Sequence, residues 1–597
     1  MALPVIESLS KLDFHRIWQF VCDPTPGRLG FALRMAAACT VTVLVCEIWQ
    51  VPDLGVPALV MMAIWQKDRV TNVLIGVVLN IIVLFLLLAI YGIVKFAYDN
   101  TVIYVSCIAA ISFFFFFMGS ASKLKPISYL LGIIIVFGLI VLEEVPVGEI
   151  ITRAMLYTYL FTLVPGAVMI VLGFLICPSP RRIVTDDIAA RLRVSAELLR
   201  CAGPREVAHA TSLLRDGVVE MEQALKMARL EHMWTKQDLA SLQQAANCSV
   251  AVLAFAEQWA SSAEEKTPPA ELIVLLEQMA AQFGKGHCPT GVDTSGIGQE
   301  NSRIRAIVSL LNVFSDPFQA EPEPAEEKEA SGFFFKDAFS NPYHIRFAVN
   351  GTFSVLASYV LFRSINWPGI HTCIITCFIV ALPTTGEMVS KLTLRIIGAT
   401  IGGAIGILSI IYVMPQLQEI TGFLVLVFIV SLLSSWIRVG DERIAYSGFQ
   451  IGLAFYLSDL SGFGPTTDMA TAWDRIVGVL IGNFITYAMF TSFWPSSAYE
   501  GLSTCMEEVT RKLRQLCSSR TLSAQAACMA QLQSAVSEGE RRVEYALAEP
   551  PHMREQMIRM DFFEKGFADA AHLGVEIMDG DAHGAARKIT ALENMTS

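Results

Sequence analysis

Long apolar runs fill two separate stretches of this 597-residue chain, residues 30–178 and 345–495, and each is followed by a mixed, charged segment. About 20 apolar residues cross a bilayer as a helix, so each stretch has room for several crossings. The first stretch contains predicted spans at 30–49, 52–66, 70–92, 101–120, 126–143 and 152–176. The second contains predicted spans at 345–364, 368–383, 392–414, 421–437, 444–461 and 475–494. Span 52–66 is short and carries two prolines, which predicts a broken or re-entrant helix.

The two apolar stretches repeat short motifs about 317 residues apart. Pro52 recurs as Pro368, and Tyr129 recurs as Tyr446. A doubled hydrophobic unit is typical of transporters, in which the path lies between the repeats. We therefore predict an all-α membrane protein that moves a solute across a bilayer.

Basic residues mark alternate loops. Lys67 and Arg69 lie between spans two and three, and Lys123 and Lys125 lie between spans four and five. The intervening loops are neutral or acidic, as at Glu143-Glu144. Because loops rich in lysine and arginine stay in the cytosol, both copies are predicted to start and end there. Two six-span copies of this kind are parallel repeats.

The segments outside the apolar stretches are helical in pattern. Apolar residues recur at helical spacing between 183 and 283, which predicts a helical bundle or hairpin in the cytosol. The segment after the second copy returns to helix, and an acidic, proline-rich stretch before that copy predicts a disordered linker. The predicted domains are an N-terminal segment, the first repeat, a helical domain, the linker, the second repeat and a C-terminal helical domain, at 1–29, 30–178, 179–318, 319–340, 341–496 and 497–597.

Composition narrows the function classes. Hydrophobic residues make up 54% of the chain, and the net charge of −11 gives no basis for a nucleic-acid partner. No phosphate-binding loop, zinc-protease motif or nucleophile elbow occurs, so we predict neither an enzyme nor a cofactor. The thirteen cysteines lack metal-ligand spacing, so we predict buried thiols and no metal site. The first 25 residues lack a continuous apolar core, so no cleaved signal is expected.

Glycines recur four residues apart on three spans of the second copy. Such spacing lets helix backbones approach closely in lipid. The glycines are Gly398, Gly402 and Gly406 on span nine, Gly448 and Gly452 on span eleven, and Gly478 and Gly482 on span twelve. They are compatible with tight packing inside the unit and with a homo-oligomer.

The second copy also contains a series of distinctive short motifs. They are Asn341-Pro342, Arg346-Phe347-Ala348, Trp367-Pro368-Gly369-Ile370-His371, Gly386-Glu387, Lys391 with Arg395 and Gly398, Arg443 with Tyr446, Gly448 and Gln450, Asp474-Arg475 with Gly478 and Gly482, and Trp494-Pro495. Together these motifs resemble the fusaric acid resistance family, also called the aromatic acid exporter family. The first copy resembles the family more loosely, and its third span lacks the Arg–Lys–Gly pattern and has Asn72, Gly76 and Asn80 instead.

The resemblance implies an inner-membrane efflux subunit of a Gram-negative bacterium. Members of the family expel aromatic carboxylic acids such as p-hydroxybenzoic acid. The resemblance further implies a periplasmic adaptor protein and an outer-membrane channel as partners, besides the lipid bilayer itself.

An aromatic carboxylate requires a cation for its charge and an apolar wall for its ring. Charged side chains at membrane depth are costly and therefore mark functional sites by default. Arg395 lies inside span nine and Lys391 lies one turn before it on the same face. Arginine suits a carboxylate because its fork reaches both oxygens. The alternative is that both side chains anchor the end of the helix at the headgroups.

The other predicted substrate-binding residues are Arg475, Arg34, Trp367, Tyr446 and Gln450. Structural roles compete with each assignment. Arg475 could pair with Asp474, Arg34 could snorkel to the headgroups, and Tyr446 and Gln450 could tie helices together.

His371, Glu387 and Asp474 are the predicted proton-coupling residues, because each can change charge. Glu47 and Asp53 are alternatives, and His371 could instead be a neutral hydrogen-bonding group. The resulting prediction is a proton-driven exporter of organic acids. Two rival hypotheses remain: an anion channel similar to the plant malate channels, and an envelope scaffold that transports nothing.

Overall fold

A computed structural model describes residues 21–22, 27–143, 148–201, 203–261, 268–289, 294, 297, 301–314, 333–462, 464–466, 469–554, 557, 559–580 and 582–596. Within these ranges every regular element is helical, apart from one isolated bridge between Ser122 and Phe334. The all-α prediction is therefore confirmed. Most of the predicted N-terminal segment and of the acidic linker lies outside the described residues.

The first membrane unit contains six helices. They are α1 (Arg28–Ile48), α2 (Gly55–Ile64), α3 (Arg69–Ala97), α4 (Thr101–Ala121), α5 (Lys125–Glu143) and α6 (Gly148–Ile176).

Six soluble helices follow. They are α7 (Pro180–Arg200), α8 (Pro204–Asp216), α9 (Val219–Leu230), α10 (Lys236–Ser261), α11 (Ala270–Gly284) and α12 (Ser302–Val313).

The second membrane unit contains α13 (Pro342–Ile365), α14 (Thr372–Val380), α15 (Thr385–Leu408), α16 (Ile420–Arg438), α17 (Glu442–Asp459) and α18 (Met469–Ser492). The C-terminal helices are α19 (Leu502–Ser518), α20 (Leu522–Leu547), α21 (Pro551–Arg554), α22 (Met560–Met578) and α23 (Ala582–Thr596).

Nine helices in the described part of the chain are long and apolar enough to cross a membrane, and three shorter apolar helices accompany them. Eight of the nine coincide with predicted spans, and the shorter three coincide with spans two, five and eight. The ninth is α10, which packs inside the soluble core, with 72% of its most apolar stretch buried in protein. Helix α17 is in neither group because it carries charged residues near both ends. The count of twelve spans therefore stays a prediction.

The second helix of each unit is unusually short. Helices α2 and α14 have 10 and 9 residues, which corresponds to about 15 Å or less against a hydrocarbon core of about 30 Å. Each follows a proline, Pro52 or Pro368, and the latter begins a 3-10 turn that ends at His371. Short hydrophobic segments at matching positions of two repeats point to the binding region of a transporter.

Helix pairings recur between the two units. In each unit the second and sixth helices pack together, as do the third and sixth and the first and second. At the interface between the two units (the seam), α1 packs on α16 and α4 packs on α13. In the same interface α2 packs on α17, and α5 packs on α14. The first helix of each unit therefore meets the fourth helix of the other, and the second meets the fifth. Each unit thus uses the same helices to contact the other, as expected for two units related by an approximate two-fold axis. The orientation of the units across a membrane stays a prediction.

Specific side chains hold the seam together. Arg28 of α1 donates from Nε and Nη2 to the carbonyl oxygen of Trp436 at 2.9 and 2.8 Å, and its guanidinium lies 4.3 Å from the centre of the Trp436 ring. At the other side of the seam, the rings of Phe116 and Phe378 stack with centroids 4.5 Å apart. Both contacts join one unit to the other.

The predicted glycine positions are points of close helix contact. A side chain at Gly402 of α15 would meet the carbonyl of Ile451 on α17. One at Gly482 of α18 would fall 2.6 Å from the carbonyl oxygen of Cys373 on α14. The glycines therefore bring α15, α17 and α18 against one another and against the short helix α14.

The two soluble segments share one hydrophobic core. Helix α10 packs against α7 and α12 from its own segment and against α20 and α22 from the C-terminal segment. The sequence predicts helices in both segments but gives no sign of this shared core.

Basic loops of the membrane units contact this bundle. Lys67 pairs with Glu220 at 2.6 Å, and Arg69 pairs with Glu231 at 2.8 Å. The loop between α2 and α3 therefore lies on the bundle side of the membrane units.

Candidate functional site

Helix α15 carries the central residues of the candidate site. Its N-terminus is fixed by Thr384, whose hydroxyl accepts a hydrogen bond from the backbone N–H of Glu387. Lys391 and Arg395 follow one turn apart, so their side chains lie above one another on one face. Glycines 398, 402 and 406 then press the rest of α15 against α17.

Arg395 is buried, with 1% of its surface exposed. Its Nη1 donates to the hydroxyl of Tyr446 on α17 at 3.2 Å, and its Nη2 donates to the hydroxyl of Thr376 on α14 at 3.0 Å. The guanidinium thus joins α15, α17 and the short helix α14. A side chain in this position does not reach headgroups, so the geometry disfavours the anchoring alternative.

Tyr446 is the centre of the cluster. Its hydroxyl accepts from Arg395 and also from Nε2 of Gln450 at 2.7 Å. The ammonium of Lys391 lies 5.0 Å from the centre of the Tyr446 ring, within the range of a cation–π contact. Four of the predicted substrate-binding residues are therefore brought together.

The charge of Arg395 is not neutralised within the described residues. No carboxylate among them pairs with it, its two partners are hydroxyls, and its Nε has no hydrogen-bond partner there. A buried cation without a counter-ion is costly, and an anion beside it would remove that cost. Gln450 adds a buried Oε1 that likewise has no partner in this part of the chain.

A cavity of about 640 Å³ opens beside this cluster. Lys391, Tyr446 and Leu394 line it from the membrane unit, whereas Arg395 lies behind Tyr446 and does not line it. The volume falls within the ~300–1,000 Å³ of small-molecule sites. Apolar and aromatic walls come from Leu382, Phe449 and Tyr545.

The mouth of the cavity is formed by charged residues from the soluble bundle and the helix ends. Five cations and three carboxylates line the cavity: Arg215, Lys391, Arg438, Arg443, Arg541, Glu387, Glu442 and Glu544. Cations therefore outnumber carboxylates, which favours an anionic ligand. Of this set, Lys391 and Glu387 are site residues predicted from the sequence.

Glu544 of α20 contacts two of the arginines at the mouth of the cavity. It accepts from Nη1 and Nη2 of Arg215 at 2.8 and 2.9 Å and from Nη2 of Arg443 at 2.9 Å. Burial alone would raise the pKa of Glu544, but the hydrogen bonds and charges of the two arginines outweigh burial and lower it. The carboxylate is therefore held ionised between the bundle and α17.

A second polar cluster lies at the other end of α14. Nη1 of Arg475 is 3.2 Å from Nε2 of His371, and Nε1 of Trp367 donates to Oδ1 of Asp474 at 3.0 Å. His371 is five residues before Thr376, a rise of about 7.5 Å along the helix. The short helix α14 therefore connects this cluster with Arg395. Asp474 and Arg475 thus each contact the Trp367–His371 turn.

Arg34 lies apart from both clusters. It sits on α1 beside Gly30, and it does not line the cavity. Its Nε is buried without a hydrogen-bond partner among the described residues. Thr376, in contrast, contacts Arg395 directly, although its sequence context, an apolar helix, gave no signal of it.

The first unit lacks the polar residues of this site. At positions 317 residues before Lys391, Arg395 and Gln450 the chain has Leu74, Val78 and Ile133, and only Tyr129 matches Tyr446. Tyr129 is half-buried, and its buried hydroxyl has no hydrogen-bond partner in the described part of the chain. The polar cluster is thus a feature of the second unit.

This chain is similar to several known proteins. Residues 356–489 match a family model described as fusaric acid resistance protein-like. Multidrug resistance protein MdtO of Escherichia coli K12 is 23% identical over 520 residues, which cover 83% of this chain and 73% of that protein. MdtO of Shigella flexneri is 38% identical over 162 residues, 27% of this chain and 24% of that protein. No solved structure matches significantly.

The matched range 356–489 contains the short helix α14 and both polar clusters. It confirms the family resemblance that the second-copy motifs indicate. Together with the apolar helices, these similarities support a membrane efflux transporter. The chain is a multi-pass membrane protein whose second unit, over residues 356–489, is similar to the fusaric acid resistance protein-like family.

Proposed function

We propose that this protein is an inner-membrane exporter of aromatic carboxylates and related organic anions. The observation that carries the proposal is Arg395, a buried guanidinium that no carboxylate of the described residues neutralises. The guanidinium donates hydrogen bonds to two hydroxyl groups, and a carboxylate of the substrate could take their place as the acceptor. The relatives carry the name multidrug resistance protein, so the substrates can extend beyond simple acids.

Substrate would enter from the side of the soluble bundle. The basic loops at Lys67 and Arg69 contact that bundle, which supports a cytosolic bundle and cytosolic chain termini. The anion would then meet Lys391 at the cavity wall, with its ring against Tyr446 and Phe449. Movement of the Tyr446 side chain would expose Arg395 behind it.

Release would follow the short helix α14 toward Trp367, His371 and Arg475. In this proposal Arg475 is the second cation for the carboxylate, and His371 modulates it by direct contact. Arg34 on α1 is a further proposed substrate-binding residue. A periplasmic adaptor and an outer-membrane channel would carry the substrate onward, and a homo-oligomer is compatible with the apolar outer faces of both units.

The proton gradient is the proposed energy source. Of the three predicted proton carriers, Glu387 faces the cavity, whereas His371 and Asp474 belong to the cluster at the far end of α14. A channel would only dissipate a substrate gradient, so accumulation against one separates the two hypotheses.

Uptake into inverted membrane vesicles tests the proposal. The probe is labelled p-hydroxybenzoate, and the variants are Arg395→Ala and Arg395→Lys, with Arg153→Ala as control. Arg153 is exposed and pairs with Glu149 one turn away. Loss of a charged hydrogen bond of about 1.5–3 kcal/mol predicts at least roughly tenfold slower uptake for R395A. R395K should retain part of the activity, and R153A should match the wild type.

Equal uptake by R395A and wild type at equal expression would refute the role of Arg395. Uptake that equilibrates without concentrating the probe would favour the channel, and no uptake by any variant would favour the scaffold.

A further inference from the structure

Asp459, at the C-terminal end of α17, is a buried carboxylate that the sequence analysis did not single out. It is 0% exposed. Neither carboxylate oxygen has a hydrogen-bond partner within the described part of the chain. An ionised carboxylate is costly in such a place, whereas a protonated one is not.

The helix that faces Asp459 is distorted. A side chain at Gly406 of α15 would fall 2.5 Å from Oδ1 of Asp459, so the two helices touch at this point. Directly beyond, α15 continues as a π-helical turn, Ser409–Val413. The buried Ser409 hydroxyl is close enough to interact with the carboxylate, although neither group meets the geometry of a hydrogen bond within the described ranges. Single π-helical turns occur frequently at functional sites.

Asp459 also lies at the seam between the two units. The next residue, Leu460, accepts at its carbonyl from the N–H of Gly55, where the short helix α2 begins (2.8 Å). Farther along, Asp53 accepts from the N–H of Gly462 at 3.0 Å, and Glu47 lies beside Gly464.

Among the described residues, the charged groups that the neighbouring helices contribute near this end of α17 do not neutralise Asp459. Asp53 and Glu47, from the first unit, are themselves acidic. Arg475 of α18 contacts His371. From α16, Ser431 bonds to the Tyr456 hydroxyl at 2.6 Å, so that element contributes a neutral group.

We propose that Asp459 is the proton-binding group that couples export to the proton gradient. This inference rests on the proposed function and deepens it. The carboxylate binds one proton from the side away from the soluble bundle and becomes a neutral carboxylic acid. The same proton leaves to the cytosol after the helices rearrange, which restores the carboxylate.

Asp459 and the substrate cluster occupy opposite ends of one helix. Tyr446 is thirteen residues earlier on α17, about 20 Å along its axis. Because α17 is pressed against α15 at Gly398, Gly402 and Gly406, a shift at Asp459 moves the same interface that holds Arg395. That shared interface is the physical route for coupling the two sites.

Glu143 provides a matched control. It stands 316 residues before Asp459, at the end of α5 and at the other seam. It accepts from the Tyr359 hydroxyl at 2.8 Å and pairs with Arg363 at 3.4 Å. Glu143 thus has the partners that Asp459 lacks, so neutralising it should not affect proton coupling.

The test uses the full-length protein in proteoliposomes, with p-hydroxybenzoate as probe. One assay measures accumulation driven by an imposed pH gradient. The other measures exchange of labelled for unlabelled probe at equal pH, which needs no net proton movement. D459N, which imitates the protonated form, should lose accumulation at least roughly tenfold and keep exchange. E143Q should keep both.

Infrared difference spectra of the detergent-purified protein provide a second readout that needs no substrate. The wild type should show a protonated carboxylic acid that D459N lacks.

Gradient-driven accumulation by D459N at the wild-type level would overturn the inference, and so would loss of exchange in D459N or absence of the infrared band. If the wild type exchanges probe but does not accumulate it, the proton-driven mechanism fails as well. If it does neither, the proposed substrate class fails, and the infrared result still decides the protonation of Asp459.

Discussion

Arg215 of α8 and Glu544 of α20 form a bidentate ion pair across the soluble bundle, with N–O distances of 2.8 and 2.9 Å. The same carboxylate accepts from Arg443 at the start of α17. Three segments that are distant in sequence therefore meet at one buried carboxylate, at the mouth of the cavity. This arrangement makes the bundle a structural part of the site entrance.

Glu544→Gln should destabilise the junction between bundle and membrane unit. Removing one partner of a buried ion pair leaves the other charges uncompensated, which costs about 3 kcal/mol when the partners are partly exposed, as here. Because the pKa of Glu544 is lowered in the folded state, its contribution is present above the ordinary glutamate pKa and is lost as pH falls below it. Thermal unfolding in detergent, followed from about pH 8 down through the ordinary glutamate pKa to about pH 3, measures both effects.

Glu538→Gln on the same helix is the control for this change. Glu538 forms exposed ion pairs with Arg541 and Arg542, and such surface pairs contribute about 0–1 kcal/mol. A loss of stability in E538Q as large as that in E544Q would contradict the special role of the buried carboxylate.

Tyr446→Phe should weaken substrate handling without unfolding the unit. The change removes the acceptor shared by Arg395 and Gln450 but keeps the ring beside Lys391. A lost hydrogen bond to a charged group is worth about 1.5–3 kcal/mol, so the loss of the hydroxyl that holds Arg395 should lower affinity for the probe acid roughly tenfold or more. Binding of p-hydroxybenzoate to purified protein by calorimetry is the measurement, and an unchanged affinity would argue that Tyr446 only joins helices. Tyr412→Phe, at an exposed tyrosine on α15's C-terminal extension, is a control.

Gly402→Ala should destabilise the second membrane unit. The new methyl group would collide with the backbone carbonyl of Ile451, and backbone cannot move aside cheaply. Overpacking of this kind costs about 1–3 kcal/mol. Gly92→Ala on α3 is the control, because nothing lies within 4 Å of that position and alanine favours helix by up to ~1 kcal/mol. Thermal unfolding should therefore shift in opposite directions for the two variants.

Asp187→Asn should stabilise the protein at neutral pH and less so in acid. Burial raises the pKa of Asp187 to about 6, partly opposed by the charge of Arg191. The folded-state pKa of Asp187 exceeds the ordinary aspartate pKa. The free energy of unfolding is therefore highest below the ordinary aspartate pKa and falls as pH rises through about 6. The gain of D187N near pH 8 should be at most about 3 kcal/mol and should shrink near pH 5.

Asp186→Asn serves as the comparison for that pH series. Asp186 is exposed and pairs with Arg182 one turn before it, so its replacement should change stability by less than about 0.5 kcal/mol at either pH. A D187N gain that is independent of pH would contradict the proposed burial effect.

Much of the fold follows from apolar periodicity and length. The helical class and most helix bounds agree with the predicted spans, since uncharged runs of about 20 residues leave few alternatives. Helix α10 is the instructive exception, because its composition suits a membrane while its neighbours bury it in a soluble core. Composition fixes how apolar a helix is, but the partner that covers it depends on the whole chain.

The candidate site was predictable only in part. Lys391, Arg395, Tyr446 and Gln450 are conspicuous because polar groups are rare in apolar helices, and the structure brings them together. The charged mouth around Glu544 was not predictable, because its members look like ordinary surface residues of amphipathic helices. Only the shared core of the two soluble segments carries them to the end of α17.

The soluble core takes helices from both halves of the sequence, and this has a consequence for synthesis. Helix α10 can be translated long before its partners α20 and α22 leave the ribosome. Until then its apolar surface needs protection, and the membrane helices insert while the entrance to the cavity is still unbuilt. A chain interrupted late in translation would therefore have its membrane helices but an incomplete cavity entrance. The apolar surface left exposed on such a chain would be recognised by chaperones and proteases.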